Sequence, residues 1–178
     1  MTNADLASHV SIQALAESGA PLSGRFPLQK MGRLAPETAG LKADSAVEYS
    51  LMAELRPGAE GGMDLWLHLQ ATATVSLCCQ RCLGEVGIPI SLDRWYRFVE
   101  TEDVAMAQDD AAEEDLLVLE PKFDVLALLE DELLMALPVV PMHEHCPGQM
   151  AQLPGEGQGD SVEVERPNPF AVLARLKK

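Results

Sequence analysis

The sequence predicts an α+β fold: an antiparallel β-meander or barrel-like sheet, a helix packed on it at about 124–137, and a short C-terminal helix. Two observations lead to this prediction. Apolar and polar residues alternate through two long stretches in the first half of the chain, and side chains of a strand alternate between its two faces. Further on, leucines recur at the three- and four-residue spacing of one helix face.

Strand-like alternation occurs in three stretches. The first covers 47–55 and the second 65–77, and glycine- and proline-containing turn residues at 57–62 lie between them. Alternation resumes from Val86 to Leu92, so the sequence CCQRC between the second and third stretches is expected at the tip of a hairpin. The sequence LLVLE, further along the chain, is a candidate for one more short strand.

The helical stretch has clear boundaries. Asp124 is a plausible N-cap, Pro138 ends the periodic pattern, and the apolar stripe between them indicates a helix packed on the sheet. The stripe consists of Leu126, Leu129, Leu133 and Leu137. The consecutive acids of the sequence EDEL in this helix point apart, which is typical of a solvated face.

Composition changes divide the chain. We expect a partly flexible N-terminal segment (1–22), a single α+β domain (23–147) with an acidic loop at about 100–115, a linker (148–165) and a basic C-terminal segment (166–178). No internal repeat is apparent.

Two charged segments are candidate partner-binding regions. The stretch 100–120 carries nine acids and no Lys or Arg, which predicts either a solvated mobile loop or a docking site for a cationic partner. The chain end, RPNPFAVLARLKK, is either a docked final helix or a recognition tag. The candidate partner-binding residues are Asp109, Asp110, Glu113, Glu114, Phe170, Arg175, Lys177 and Lys178.

The net charge of −15 over 178 residues, with a pI near 4.5, limits the possible partners. Such a chain is repelled by the phosphates of nucleic acids unless its cations are clustered, and it is attracted to basic proteins. The N-terminus lacks a basic region followed by an apolar run, and no stretch approaches the roughly 20 apolar residues of a membrane span. We therefore expect a cytoplasmic protein without a membrane partner.

Three of the four cysteines lie within five positions. The C-x-x-C spacing of Cys79 and Cys82 allows two thiolates to bind one tetrahedral ion, and Cys146 offers a third. A redox pair and reduced thiols without a ligand remain alternatives. Cys78 points to the opposite face and is not expected to share the ion. The candidate ligands of a structural zinc are Cys79, Cys82, Cys146 and His145 (or His143).

Catalysis has little support in the sequence. The chain contains four histidines and no GxSxG, HExxH or Gly-rich phosphate motif. His68 falls on the polar side of its strand and is expected to be a surface residue. The sequence therefore predicts neither an enzyme nor a small-molecule substrate.

Three motifs occur in a characteristic order: CQRCL, LLEDELLMALPVVPMHEHC and RPNPFAVLARLKK. With them, the chain from about Ser23 to its end resembles the large ribosomal RNA subunit accumulation protein (YceD) family. The family pattern covers Cys79, Cys82 and Cys146, whereas Cys78 is an addition. The resemblance implies a role in 23S rRNA accumulation and large-subunit biogenesis, a link to a small zinc-ribbon protein of that subunit, and no catalytic activity.

Three functional hypotheses follow. The first, which we favour, is a non-enzymatic assembly factor that binds a basic ribosomal protein through its acidic surface. The second is an assembly factor that contacts rRNA directly through the basic residues 25–33 and 175–178. The third is a thiol- or metal-handling protein.

Overall fold

The computed structural model describes residues 9–58 and 61–147. In chain order its main elements are α1 (Ile12–Ser18), β1 (Leu22–Pro27), β2 (Ala46–Pro57), β3 (Met63–Cys78), β4 (Glu85–Val99), α2 (Glu102–Gln108), β5 (Asp115–Val118) and α3 (Val125–Met135). Short 3₁₀ helices occupy Leu28–Lys30, Ala35–Glu37 and Asp109–Ala111. The predicted C-terminal helix lies outside the described residues.

The strands form one open five-stranded sheet in the order β1-β2-β3-β4-β5, which confirms the α+β prediction. The first four strands are antiparallel neighbours. The sequence LLVLE supplies β5, as predicted, but β5 runs parallel to β4, with Tyr96 opposite Asp115. The sheet is therefore mixed, with one parallel edge strand.

The strand registers keep the apolar alternation in phase across the sheet. Tyr49 of β2 lies opposite Ala71 of β3, which in turn lies opposite Leu92 of β4, and all three are buried. Because cross-strand neighbours point to the same face, their apolar side chains form one continuous surface. This surface is one side of the hydrophobic core.

Helices α1 and α3 contribute to the same core. Ile12 of α1 and Leu129 and Leu133 of α3 are almost completely buried in it. The predicted N-cap is confirmed, because the Asp124 carboxylate accepts a hydrogen bond from the Ala127 N–H at 2.9 Å. The predicted helix therefore begins where the sequence indicated, and it ends at Met135.

The acidic segment differs from the loop expected at about 100–115, because α2 occupies Glu102–Gln108. The Thr101 hydroxyl caps this helix by accepting a hydrogen bond from the Val104 N–H at 3.3 Å. Glu102 and Asp103 lie in its first turn, where the helix dipole favours negative charge. An acid-rich sequence can therefore form a helix here.

Two of the three EDEL acids of α3 are also not on the solvated face that the sequence indicated, whereas the side chain of the third, Asp131, is 49% exposed. Glu130 and Glu132 are only 8% and 4% exposed. Glu130 accepts hydrogen bonds from the backbone N–H groups of Arg33 and Leu34, and Glu132 lies 3.6 Å from the guanidinium of Arg94. Partners distant in sequence therefore allow these two carboxylates to be buried.

Candidate metal centre

The first half of the candidate site is the hairpin between β3 and β4, as predicted. The Cys79 N–H donates to the Gly84 carbonyl at 2.8 Å, and the Leu83 N–H donates to the Cys79 carbonyl at 2.8 Å. Leu83 has a φ of 60°, and within the described residues no other non-glycine residue has a positive φ. This tight turn brings the side chains of Cys79 and Cys82 close together.

The second half of the site comes from the segment that follows α3. The Gln80 N–H donates to the Pro141 carbonyl at 2.9 Å, and the His143 N–H donates to the sulfur of Cys79 at 3.4 Å. These bonds hold the segment against the hairpin tip. After α3 the chain thus folds back onto the hairpin cysteines. A ligand set that combines Cys79 and Cys82 with Cys146 and a histidine requires this arrangement.

Four side chains converge at this contact: Cys79, Cys82, His143 and Cys146. One potential ligand atom from each lies within 4.8 Å of the others. The Cys79 and Cys146 sulfurs are 3.8 Å apart, and the Cys82 sulfur is 3.3 Å from His143 Nδ1. Tetrahedral zinc with bonds of about 2.3 Å to sulfur and 2.0 Å to nitrogen places its ligands roughly 3.5–3.8 Å apart. The cluster could therefore hold a metal ion.

The cysteines of the cluster are free thiols. A disulfide requires sulfur atoms at about 2.05 Å, far closer than the 3.8 Å between Cys79 and Cys146. Cys78 lies outside the cluster, and its thiol donates instead to the Leu83 carbonyl at 3.5 Å. This arrangement agrees with the expectation that Cys78 faces away from the other thiols.

The structure brings His143 into the cluster and leaves the exposed His145 outside it. The Nε2 atom of His143 lies 2.9 Å from the Glu85 carbonyl oxygen. A neutral imidazole that donates its Nε2–H to this carbonyl leaves the Nδ1 lone pair directed at the cluster. The backbone of β4 therefore orients the Nδ1 atom of His143 toward the three cysteines of the cluster.

The electrostatics of the cluster favour a thiolate at Cys79. Burial raises the pKa of this thiol, but hydrogen bonds from the backbone N–H groups of Cys82, His143 and Arg81 outweigh burial and bring the pKa to about 5. Burial and the neighbouring Cys82 and Cys79 raise the pKa of Cys146 to about 11. Since the thiolate is the metal-binding form of cysteine, the backbone around Cys79 favours the form that could bind a metal ion.

The other predicted site residues are not part of this cluster. Asp109, Asp110 and Glu113 are exposed on the acidic segment. Glu114 is partly buried and lies 2.5 Å from the guanidinium of Arg97. Burial raises the pKa of Glu114, but the hydrogen bond and charge of Arg97, together with hydrogen bonds from the backbone N–H groups of Glu114 and Glu113, outweigh burial and hold the pKa below its usual value. The C-terminal candidates Phe170, Arg175, Lys177 and Lys178 lie outside the described residues.

Sequence reasoning did not predict an aromatic cluster on the open face of the sheet. The His68 ring stacks on Trp95 with centroids 4.1 Å apart, and its Nε2 lies 2.6 Å from the Asp93 carboxylate. The Arg56 guanidinium lies over the rings of Trp95 and Trp66, at 3.9 and 4.7 Å. His68 is therefore held in a cross-strand stack on Trp95.

Comparison with known proteins identifies the family. The family model described as "Large ribosomal RNA subunit accumulation protein YceD" matches residues 67–177, more than half of the chain. The chain belongs to the YceD family. Both halves of the Cys/His cluster lie inside the YceD match. The YceD name describes a role in the accumulation of the large ribosomal RNA subunit.

A YceD relative from Haemophilus influenzae, named "Large ribosomal RNA subunit accumulation protein YceD", is 38% identical over 113 residues. The alignment covers 58% of this chain, and the chain spans 60% of the length of that relative. No solved structure matches the chain. Among residues 9–58 and 61–147, no helix is long and apolar enough to cross a membrane.

Proposed function

We propose that this member of the YceD family is a non-enzymatic, cytoplasmic factor that supports 23S rRNA accumulation by binding a basic protein of the large ribosomal subunit. The net charge of −15 carries the proposal. Neutralisation of phosphates by Lys and Arg supplies most non-specific affinity for nucleic acid. A chain with this charge is therefore better suited to a cationic protein, such as a small zinc-ribbon protein of the subunit, than to RNA.

The alternative, direct rRNA binding through the basic ends, is weakened by contacts at the N-terminal basic region. Arg33 binds the carboxylates of Glu130 and Asp131, and Arg25 donates to the Asp44 carbonyl at 2.8 Å. Both arginines are exposed, but cations that already contact carboxylate or carbonyl oxygens of the chain are less available to phosphate groups. The acidic surface thus remains the stronger candidate for partner binding.

A tagged pull-down from gentle lysate, divided and treated with or without ribonuclease, tests the proposal. We expect a basic large-subunit protein, identified by mass spectrometry, to remain bound after RNA digestion and to be released by salt. Neutralising the exposed acids Asp109, Asp110 and Glu113 to their amides is expected to weaken retention. Loss of every ribosomal component on digestion would favour direct rRNA contact, and recovery of none in either arm would contradict both hypotheses.

The matched control for these variants neutralises exposed acids elsewhere on the domain, at Glu17, Glu37 and Asp44. It changes the net charge by the same amount but leaves the acidic segment intact. We expect this control to retain the ribosomal protein nearly as well as the wild type. Equal losses in the two triple variants would mean that only the net charge matters.

We also propose that the Cys/His cluster holds one structural zinc ion. Three thiols and one imidazole form a soft, four-ligand set that suits zinc, and a set with four protein ligands leaves no open position for catalysis. Such an ion would fasten the segment after α3 to the hairpin tip. This purely structural role agrees with a protein that acts by binding.

Metal analysis of the purified protein tests the zinc proposal. We expect one zinc per chain in the wild type, the same in Cys78→Ser, and a marked loss in Cys82→Ser. We also expect a chelator to lower the melting temperature of the wild type more than that of Cys82→Ser. A metal-free wild type in which Cys79 and Cys146 react as a pair with a thiol reagent would instead favour a thiol function.

A further inference from the structure

The apolar face of the sheet continues past the core at the turn between β2 and β3. In β2, exposure rises from 3% at Ala53 to 52% at Leu55, and in β3 it rises from 7% at Leu65 to 59% at Met63. Leu55 and Leu65 are cross-strand partners. Two large apolar side chains thus extend the buried stripe into solvent, where no element described in the structure covers them.

Leu55 and Met63 line a cavity of about 470 Å³ together with Val104 of α2, which is 36% exposed. A second cavity, of about 770 Å³, adjoins it and shares the lining residues Met63 and Asp64. We call the two together the hairpin-end groove. Its defining residues are Leu55, Met63, Asp64, Glu100, Val104 and Glu113. A cavity of several hundred Å³ is large enough to hold side chains of a bound ligand.

The groove carries uncompensated negative charge. Its cation, Arg97, is neutralised by Glu114 and also donates to Gln108 at 2.9 Å. The other carboxylates of the groove form no ion pair with any residue that the structure describes: Asp64, Glu100 and Glu113. An apolar surface bordered by such carboxylates attracts a ligand that is both apolar and cationic, and it repels phosphates.

We propose that the hairpin-end groove binds an amphipathic cationic segment of a protein partner. Apolar side chains of this segment contact Leu55, Met63 and Val104, and its Lys or Arg side chains pair with the carboxylates of the groove. The inference rests on the proposed function and assigns its binding surface. It differs from a purely electrostatic interaction because the apolar contacts and the charge pairs are both required.

The probe is a fluorescently labelled synthetic peptide of Leu and Lys, with leucines at the i, i+3, i+4 and i+7 positions that groove-binding segments use. The reference peptide keeps every Lys and replaces every Leu with Ser. We expect fluorescence anisotropy to show that the full-length protein binds the Leu/Lys peptide at least about tenfold more tightly than the Ser/Lys peptide. Equal affinities for the two peptides would overturn the proposal.

Two variants that leave the net charge unchanged distinguish binding in the groove from binding elsewhere on the surface. Met63→Ser removes an apolar contact in the groove, and Met135→Ser removes a methionine of similar exposure, 71%, at the end of α3. We expect Met63→Ser to weaken binding of the Leu/Lys peptide by about five- to tenfold and Met135→Ser to leave it unchanged. Because Met63 is exposed in the free protein, both variants are expected to fold. Equal affinities of the two variants would contradict the groove assignment.

Charge variants test the other half of the proposal. Asp64→Asn combined with Glu113→Gln should weaken peptide binding and reduce its salt dependence, whereas Glu37→Gln combined with Asp44→Asn should do neither. A labelled single-stranded RNA is the competing probe. Binding of this RNA as tight as that of the Leu/Lys peptide, with the same loss in Met63→Ser, would assign the groove to RNA and overturn the proposal.

The ribonuclease-treated pull-down separates this inference from the proposed function. If Met63→Ser retains the ribosomal protein as well as the wild type does, the groove assignment fails and the proposed function stands. If the wild type retains no ribosomal protein, the proposed function fails whatever the peptide results are. Loss of the ribosomal protein in Met63→Ser, but not in Met135→Ser, would support both.

Discussion

The Glu130 carboxylate of α3 accepts a hydrogen bond at 3.0 Å from the backbone N–H of Leu34, a residue 96 positions earlier in the chain. The same oxygen accepts the N–H of Arg33 at 2.7 Å. Leu34 is completely buried, so water is a poor substitute for this acceptor. Glu130 thereby fastens the segment between β1 and β2 to the helix.

Replacement of Glu130 by Ala is expected to lower the free energy of unfolding by about 2–4 kcal/mol, because two backbone donors lose their acceptor. Asp131→Asn is the matched control. It breaks an ion pair with the same Arg33, but both of these side chains are about half exposed, at 51% and 49%. We expect this control to cost less than about 1 kcal/mol. Urea denaturation measures both, and equal losses would contradict the role assigned to Glu130.

The contribution of Glu130 is expected to depend on pH. Burial raises the pKa of this carboxyl, but hydrogen bonds from Leu34 and Arg33 outweigh burial and hold the pKa below its ordinary value of 4.5. At pH values between the pKa of Glu130 in the folded protein and its ordinary pKa, the unfolded chain therefore binds more protons than the folded chain. The stabilisation of the fold by Glu130 is complete at pH values above its ordinary pKa, and it is lost as the pH falls through its pKa in the folded protein.

We accordingly expect the difference in unfolding free energy between the wild type and Glu130→Gln to shrink as the pH is lowered from about 7 to about 3. Urea denaturation at a series of pH values measures this difference. A difference that stays constant or grows in acid would show that the charge of Glu130 is not what stabilises the fold.

Gly24 of β1 is expected to resist substitution because it lies opposite Tyr49 of β2. A methyl group at this position would lie 2.7 Å from Cζ of the buried Tyr49 ring. We expect Gly24→Ala to cost about 1–3 kcal/mol in unfolding free energy as the ring shifts. At Gly32, a methyl group would meet no heavy atom within 4 Å, so Gly32→Ala should change stability by less than about 0.5 kcal/mol. Thermal denaturation that ranks the two variants equally would contradict the prediction.

The two histidines near Cys146 are expected to behave differently. His143→Ala removes a side chain of the Cys/His cluster, whereas His145→Ala changes an exposed side chain outside it. We expect the zinc content of His143→Ala to fall and its melting temperature to become insensitive to chelators, with His145→Ala resembling the wild type. The reverse result would show that His145 is the ligand.

The parts of the fold that the sequence predicted are those encoded locally. The alternation in β2 and β3 is visible within each strand, and the Asp124 cap lies three residues from the N–H that it accepts. The cysteine hairpin was also predictable, since its turn and both its strands are contiguous in sequence. Local patterns of this kind do not depend on how distant segments meet.

The remaining features depend on partners that are distant in sequence. We predicted that Glu130 is solvated. In the structure it accepts hydrogen bonds from residues 33 and 34, and no residue near the helix in sequence indicates this contact. The sequence spacing did not distinguish His143 from His145 as the histidine of the cluster, because the contact that orients His143 is with the distant Glu85 carbonyl of β4. The parallel pairing of β5 with β4 likewise has no signature in the short sequence LLVLE.

That parallel pairing constrains the evolution of the acidic segment. After β4 ends at Val99, the chain must travel back along the sheet before β5 can start at Asp115 beside Tyr96. A connection of this kind needs about a dozen residues or more. Insertions and substitutions of exposed side chains within residues 100–113 are therefore compatible with the fold, whereas deletions shorten a bridge that must keep its span. Mutational drift can change the charge of these side chains, or lengthen the segment, much more freely than it can shorten the segment.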